Sequence, residues 1–227
     1  AVQPYAAALG RALPTAFSVP LEREPLKAAT NETLIVPAQV NYVGKGCNIY
    51  DLGYTWHGSA HVITRHLRMG WLWDQVRVQG GAYGAFTGFN RNGFMYFGSY
   101  RDPNLCETLD VFDGTADYAA HFTASEREMD KFIIGTMSGV DTPLTPMMKG
   151  DAAATCYLRG ITQEDRQQRR DEILSTRQED IRALAPLIAA CMKENVLCVF
   201  GNDAKIAEAK DVFDSIHPAL PALDEAE

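Results

Sequence analysis

Few side chains in this 227-residue sequence combine by type and spacing into something that could do chemistry. His57 and His61 stand four apart, with His66 following. Two histidines at that spacing on a helix can share a metal ion. A zincin-type site also carries a glutamate inside the pair, as H-E-x-x-H or the inverted H-x-x-E-H. Here the pair encloses Gly58-Ser59-Ala60, and no third ligand follows, so a structural or surface role is favoured over metal binding. The five cysteines, Cys47, Cys106, Cys156, Cys191 and Cys198, are odd in number and show no C-x-x-C spacing. They read as reduced thiols of an intracellular or organellar protein. No G-x-S-x-G elbow or phosphate-binding P-loop occurs. Asn31-Glu32-Thr33 matches a glycosylation sequon, which is read as chance.

The run from Trp71 to Gly84 has more physical content. A helix ends near Arg77, Gly80 and Gly81 let another backbone come close, and Tyr83 opens a strand. A guanidinium offers donors in a fixed fork and a phenol offers one more. Both could aim at a peptide carbonyl or an oxyanion. Taken alone, the spacing is equally served by a snorkelling arginine and a packed aromatic, and that plain reading comes first.

The elements that must hold these groups follow from patterning. Residues 1–30, rich in Ala and Pro, read as a linker or an edge segment of a preceding domain, and 31–227 as one domain. Thr33 to Val43 is rich in strand formers, interrupted by Pro37, so an edge or bulged strand is expected. A helix is expected over Gly58–Gln75, weakened at Gly70. Tyr83–Phe89 and Phe94–Tyr100 form a hairpin about Asn90-Arg91-Asn92-Gly93. Asp102-Pro103 looks like the start of a helix, with Asp as cap and Pro in the first turn. Ser125 with Glu128, Thr162, and Thr176 with Glu179 mark further helix starts, and Asp151–Leu158 is helix-compatible. Pro186 implies a kink. Val196–Phe200 reads as a strand, Asp203–Ile216 as a last amphipathic helix, and the tail after Pro218 as loose. The order predicts an α+β fold, a mostly antiparallel sheet with helices on one face.

A formal charge of −8 speaks against a nucleic-acid footprint and is compatible with a basic peptide partner. No apolar run is long enough to span a bilayer, and no signal peptide is recognised at the start.

Several runs resemble the C-terminal region of pitrilysin (insulinase-type) metallopeptidases, in the branch with presequence protease and falcilysin. They are Tyr42-Val43-Gly44-Lys45, His57 through Arg65, Gly70 through Gly84, Ser99 through Leu105, Glu107 through Asp110, and Arg169 through Thr176. Together they span roughly 33–201. The resemblance implies a clamshell of four related αβ domains with a LuxS/MPP-like fold. Zinc would be bound by an H-x-x-E-H motif in an N-terminal half. The halves would close around short unfolded peptides, such as cleaved targeting sequences. This chain would supply Arg77 and Tyr83 to bind the substrate backbone and stabilise the tetrahedral intermediate, with Gly80 and Gly81 beside them. It contains no H-x-x-E-H, so no zinc hydrolysis is expected from it alone. That suits a domain cut from a longer chain, a fragment, or one subunit of a split enzyme. The implied setting is a mitochondrial matrix, plastid or apicoplast, with the bacterial cytosol as alternative. A non-catalytic scaffold or interaction subunit of the same fold is the second reading.

Overall fold

The computed structural model describes residues 31–219; the linker at 1–30 and the end of the tail lie outside them. Six strands form one sheet in the order β3-β4-β2-β5-β1-β6. They are β1 (Asn31–Val36), β2 (Tyr42–Asn48), β3 (Gly84–Phe89), β4 (Phe94–Tyr100), β5 (Leu197–Asn202) and β6 (Ser215–Pro218). The β3–β4, β4–β2 and β2–β5 pairs are antiparallel, whereas β1 runs parallel to both β5 and β6.

Alternation along each strand sends one set of side chains toward the helices. Val43, Lys45 and Cys47 of β2, Met95 and Phe97 of β4, and Leu197 and Val199 of β5 are all buried. The helices supply the other half of the core. These are α1 (Ser59–Met69), α2 (Cys106–Ala120), α3 (Glu126–Val140), α4 (Pro146–Leu158), α5 (Gln163–Leu174), α6 (Gln178–Ala183), α7 (Ala185–Lys193) and α8 (Asp203–Glu208). Phe112 of α2 meets Phe97 with ring centroids 5.6 Å apart. Lys45 is the exception in the apolar layer: its ammonium reaches Asp113 of α2 at 2.6 Å.

The opposite face alternates aromatics with glycines. Gly84, Tyr100, Tyr42 and Phe200 fall in one cross-strand row. Tyr42 meets Tyr100 edge-on at 5.2 Å and Phe200 at 5.8 Å. Phe86 and Tyr96 lie over Gly98 and Gly88 of the neighbouring strand, where a Cβ would collide with their rings. Glycine opposite an aromatic lets the ring lie flat along the sheet.

Several expectations need correction. Pro37 ends β1, which is an inner strand rather than an edge. Asp102 does not cap a helix; α2 begins at Cys106 and Asp102 is fully buried in a turn. The helix start expected at Thr176 falls one residue later: Thr176 bonds back to Glu172, and the Arg177 amide donates to Asp180. Pro186 kinks nothing; it occupies the first turn of α7, where its missing N–H costs no hydrogen bond. The helix expected over Asp203–Ile216 stops at Glu208, and Ser215–Pro218 adds a parallel strand to β1. Free hydrogen-bonding groups of β1 capture that segment, helped by the Asp214 amide on the Asn31 carbonyl at 2.8 Å. The five cysteines are not all free thiols: Cys47 of β2 and Cys191 of α7 meet in the core as a disulfide, their Cα atoms 5.5 Å apart. A sequence separation of 144 hides that meeting from spacing arguments.

Candidate functional site

Arg77 lies on a π-helix, Trp73–Gln79, that follows Gly70 and extends the expected helix by a wider turn. The Gly80 amide bonds the Gln75 carbonyl at 2.9 Å, five residues back, which is the π-type closure. Two tryptophans fix this turn from opposite sides. Trp71 packs inward, its indole N–H donating to Thr115 of α2 at 3.0 Å and its ring stacked on Tyr118. Trp73 is exposed, and the Arg77 guanidinium sits over its ring at 3.8 Å from the centroid. Such stacking keeps the guanidinium plane ordered while its edge N–H groups stay free to donate.

The turn from Arg77 to Tyr83 is held by backbone bonds. The Gly81 amide donates to Arg77 O at 3.0 Å, and the Ala82 amide to Val76 O at 3.1 Å. Both glycines are required by the chain itself. A Cβ on Gly80 would come within 2.6 Å of the Val76 carbonyl, and Gly81 has φ +81°. Beside Gly81 the space is open, since a Cβ there would meet only Pro103 at 3.6 Å. Tyr83 is 67% exposed, with its ring edge-on to Tyr100 at 5.9 Å. Its phenol therefore heads the aromatic row that crosses the sheet.

A buried polar hub lies beneath. The Asn41 side-chain amide donates to the carbonyls of Asp102 (3.1 Å) and Asn104 (3.2 Å), and its oxygen accepts from the Asn202 amide at 3.0 Å. Asn104 in turn donates to the Gly80 carbonyl at 2.6 Å. The Tyr83 amide bonds Arg101 O at 3.3 Å; Arg101 has φ 49°, and its guanidinium lies 5.6 Å from the Tyr100 ring centroid. Asp102 accepts from the Asn104 amide at 2.9 Å and the Thr108 hydroxyl at 2.7 Å, while burial pushes its carboxyl above the usual range. Thus β2, β5, the 101–104 turn and the π-helix are tied to one another at the strand end that carries Tyr83. Arg101, Asp102 and Asn104 lie in the Ser99–Leu105 run that carries the resemblance, but no role for them, and no hub with Asn41, was read from it. Asp102-Pro103 imitates a helix start, and Asn41 has no motif around it.

The histidine pair is split between elements. His57 precedes α1 and bonds the Ser59 hydroxyl at 2.9 Å. His61 lies on α1 against Trp56, and burial together with the Arg169 charge holds its pKa below the ordinary value. Among the described residues, no three His, Cys, Asp or Glu side chains gather closely enough to hold a metal, so the donors here do not fit a zinc site. Among the same residues no helix is long and apolar enough to cross a membrane.

Compared with known proteins, the sequence matches the family model described as the PreP C-terminal domain over residues 31–201. It is 45% identical over 190 residues to "Protein HypA" of Clostridium perfringens, covering 84% of this chain and 20% of that protein. It is 42% identical over 191 residues to "Presequence protease 1, chloroplastic/mitochondrial" of Arabidopsis thaliana, covering 84% and 17%. The chain thus spans a fifth or less of the curated relatives it matches. In fold it is similar to the crystal structure of a peptidase M16 inactive domain from Pseudomonas fluorescens, with TM-score 0.58 and 15% identity over 96% of this chain and 50% of that one. It is likewise similar to pitrilysin, with TM-score 0.55 and 13% identity over 76% and 19%.

Proposed function

The chain belongs to the PreP C-terminal domain family, and from that premise we propose that it is the substrate-binding C-terminal domain of a presequence-protease-like zinc metalloendopeptidase. Its partner is a zinc-bearing N-terminal half, on the same polypeptide or a separate subunit. Its substrates are short unfolded peptides, because only a flexible chain can enter a closed chamber. The metal chemistry resides in that other half; this chain binds and orients. The setting is an organellar matrix, as for the relatives named mitochondrial or chloroplastic, or the bacterial cytosol.

One observation carries the reading. Arg77 and the well-exposed Tyr83 belong to one turn, held by backbone bonds and seated on the buried hub. Both are donors, and both keep hydrogen-bonding capacity for a ligand. Arg77 suits one or two peptide carbonyls, and the Tyr83 phenol suits the oxygen of a carbonyl under attack, where a fixed donor is worth most. The open space beside Gly81 lets the peptide backbone come close. The aromatic row from Tyr83 through Tyr100 and Tyr42 to Phe200 gives its apolar side chains a wall.

The test mixes purified chain with a separately expressed N-terminal half carrying an intact H-x-x-E-H, using an unstructured fluorogenic peptide and zinc. Cleavage only in the mixture is expected. Cleavage by this chain alone would overturn the proposal. A stable complex that cleaves no peptide would favour the scaffold reading.

A further inference from the structure

Across the β3–β4 hairpin from Tyr83, the tip meets α5 where Arg91 pairs with Asp165, and a half-open cavity of about 590 Å³ lies beside them. Four arginines line it: Arg91 from the tip, Arg159 from the end of α4, and Arg166 and Arg169 one turn apart on α5. Only one carboxylate, Asp165, lines it with them. That carboxylate is already engaged, by Arg91 at 2.6 Å and by the capping box at Thr162. Two further acids near Arg169 are engaged as well: Asp141 by Arg170, and Glu172 by the Gly58 amide and the Gln168 side chain. Among the described residues Arg159, Arg166 and Arg169 have no ion pair, in a chain whose overall charge is −8. The Arg169 Nε is buried with no hydrogen-bond partner. Buried donors in folded proteins are almost always paired, so Arg169 is a guanidinium whose hydrogen bonding the described residues leave incomplete.

Charge energetics agree. Burial, with the neighbouring charges of Arg170, Arg166 and Arg91, lowers the Arg169 pKa from its usual value. Like charges gathered in a partly desolvated site destabilise one another unless a counter-charge joins them. The lining arginines come from three separate elements, the hairpin tip, the end of α4 and α5. A flat carboxylate offers two oxygens in one plane, while a tetrahedral oxyanion offers acceptors on all sides for forked donors. The volume also exceeds what one small ion needs and lies in the range of small-molecule sites.

We propose that this cavity is a binding site for a phosphate-class oxyanion, held by Arg159, Arg166 and Arg169, with room for a second phosphoryl group. The site is independent of the peptidase reading. The test titrates the 227-residue chain with inorganic phosphate and with pyrophosphate, by calorimetry and by thermal unfolding, against sodium chloride at matched ionic strength. One pyrophosphate per chain is expected. Tm should rise by about 3 °C at a concentration tenfold above Kd. Pyrophosphate should bind more tightly than phosphate if both phosphoryl positions are used. Arg159→Gln and Arg166→Gln should each weaken binding about tenfold. Arg159 ends α4 at the surface, so its variant tests the site without touching the core. An equal Tm rise in sodium chloride would overturn the proposal, and so would undiminished pyrophosphate binding by the Arg159→Gln/Arg166→Gln double variant. Capture of an acidic peptide with no binding of either phosphate would also overturn it.

Discussion

At the Tyr83 end of strand β3 the polar side chains are buried and partnered: Asn41, Asp102 and Asn104 satisfy one another and the Gly80 carbonyl. At the Arg91 end, past the far end of this six-residue strand, guanidiniums line a cavity with one engaged carboxylate among them. The difference separates two ways of building with polar groups. A satisfied network stiffens the backbone and leaves surface donors aimed outward, as it does for Arg77 and Tyr83. An unsatisfied cluster stores repulsion that a ligand can relieve. Mutation should therefore hurt the first region and spare or help the second.

The largest expected effect is at the hub. Asn41→Leu leaves the Asn202 amide and the Asn104 carbonyl without their partner, and should cost about 3 kcal/mol, read as a Tm drop of roughly 6–12 °C. A drop of less than about 2 °C would mean that the hub is not what holds this end. At the other end, Arg169→Leu removes one uncompensated charge and an orphan donor. It should change stability by less than about 1 kcal/mol, in either direction, and mostly toward gain at low salt. A loss as large as that of Asn41→Leu would erase the contrast.

Two pH effects sharpen the same comparison. Burial raises the Asp102 pKa, so the folded state holds the proton more firmly than the unfolded state. That contribution is present at low pH and is lost as pH rises through the folded value. Asp102→Asn should thus gain on the parent as pH rises toward neutral, in denaturant titrations at several pH values. His61 is shifted the other way, by burial and by Arg169. Its neutral form is favoured in the fold, so stability falls as pH drops below about 6.5 toward the lower folded value. His61→Gln should flatten part of that acid slope; the remainder belongs to His66, which burial also shifts down. An unchanged slope in His61→Gln would mean that burial beside Arg169 does not hold His61 neutral in the fold.

How much of this was legible in the sequence divides along the same line. The β3–β4 hairpin was readable because its turn chemistry is local, and Gly93 indeed sits at φ +87°. The capping box at Ser125 and the cap at Thr162 were readable for the same reason, although the Asp165 that completes a box at Thr162 was not singled out. The turn carrying Arg77 and Tyr83 could be found as a run, but not the π-type closure that shapes it. The Asn41 contacts of the hub, the Lys45–Asp113 pair and the Cys47–Cys191 contact join residues 61 to 161 positions apart, and no periodicity encodes such meetings. Strand β6 was misread as helix because a pairing with β1, far away in sequence, outweighed a weak amphipathic pattern. The arginine cavity was hidden because its walls come from the hairpin tip, α4 and α5.

In the proposed function Tyr83 acts as a donor to the substrate within a site completed by another half. The most direct test is kcat for Tyr83→Phe in the reconstituted enzyme, with KM measured alongside. Removal of one hydroxyl that acts in the transition state should lower kcat by about ten- to a thousand-fold and change KM little. Unchanged kcat, in a variant that still assembles with the N-terminal half, would contradict it.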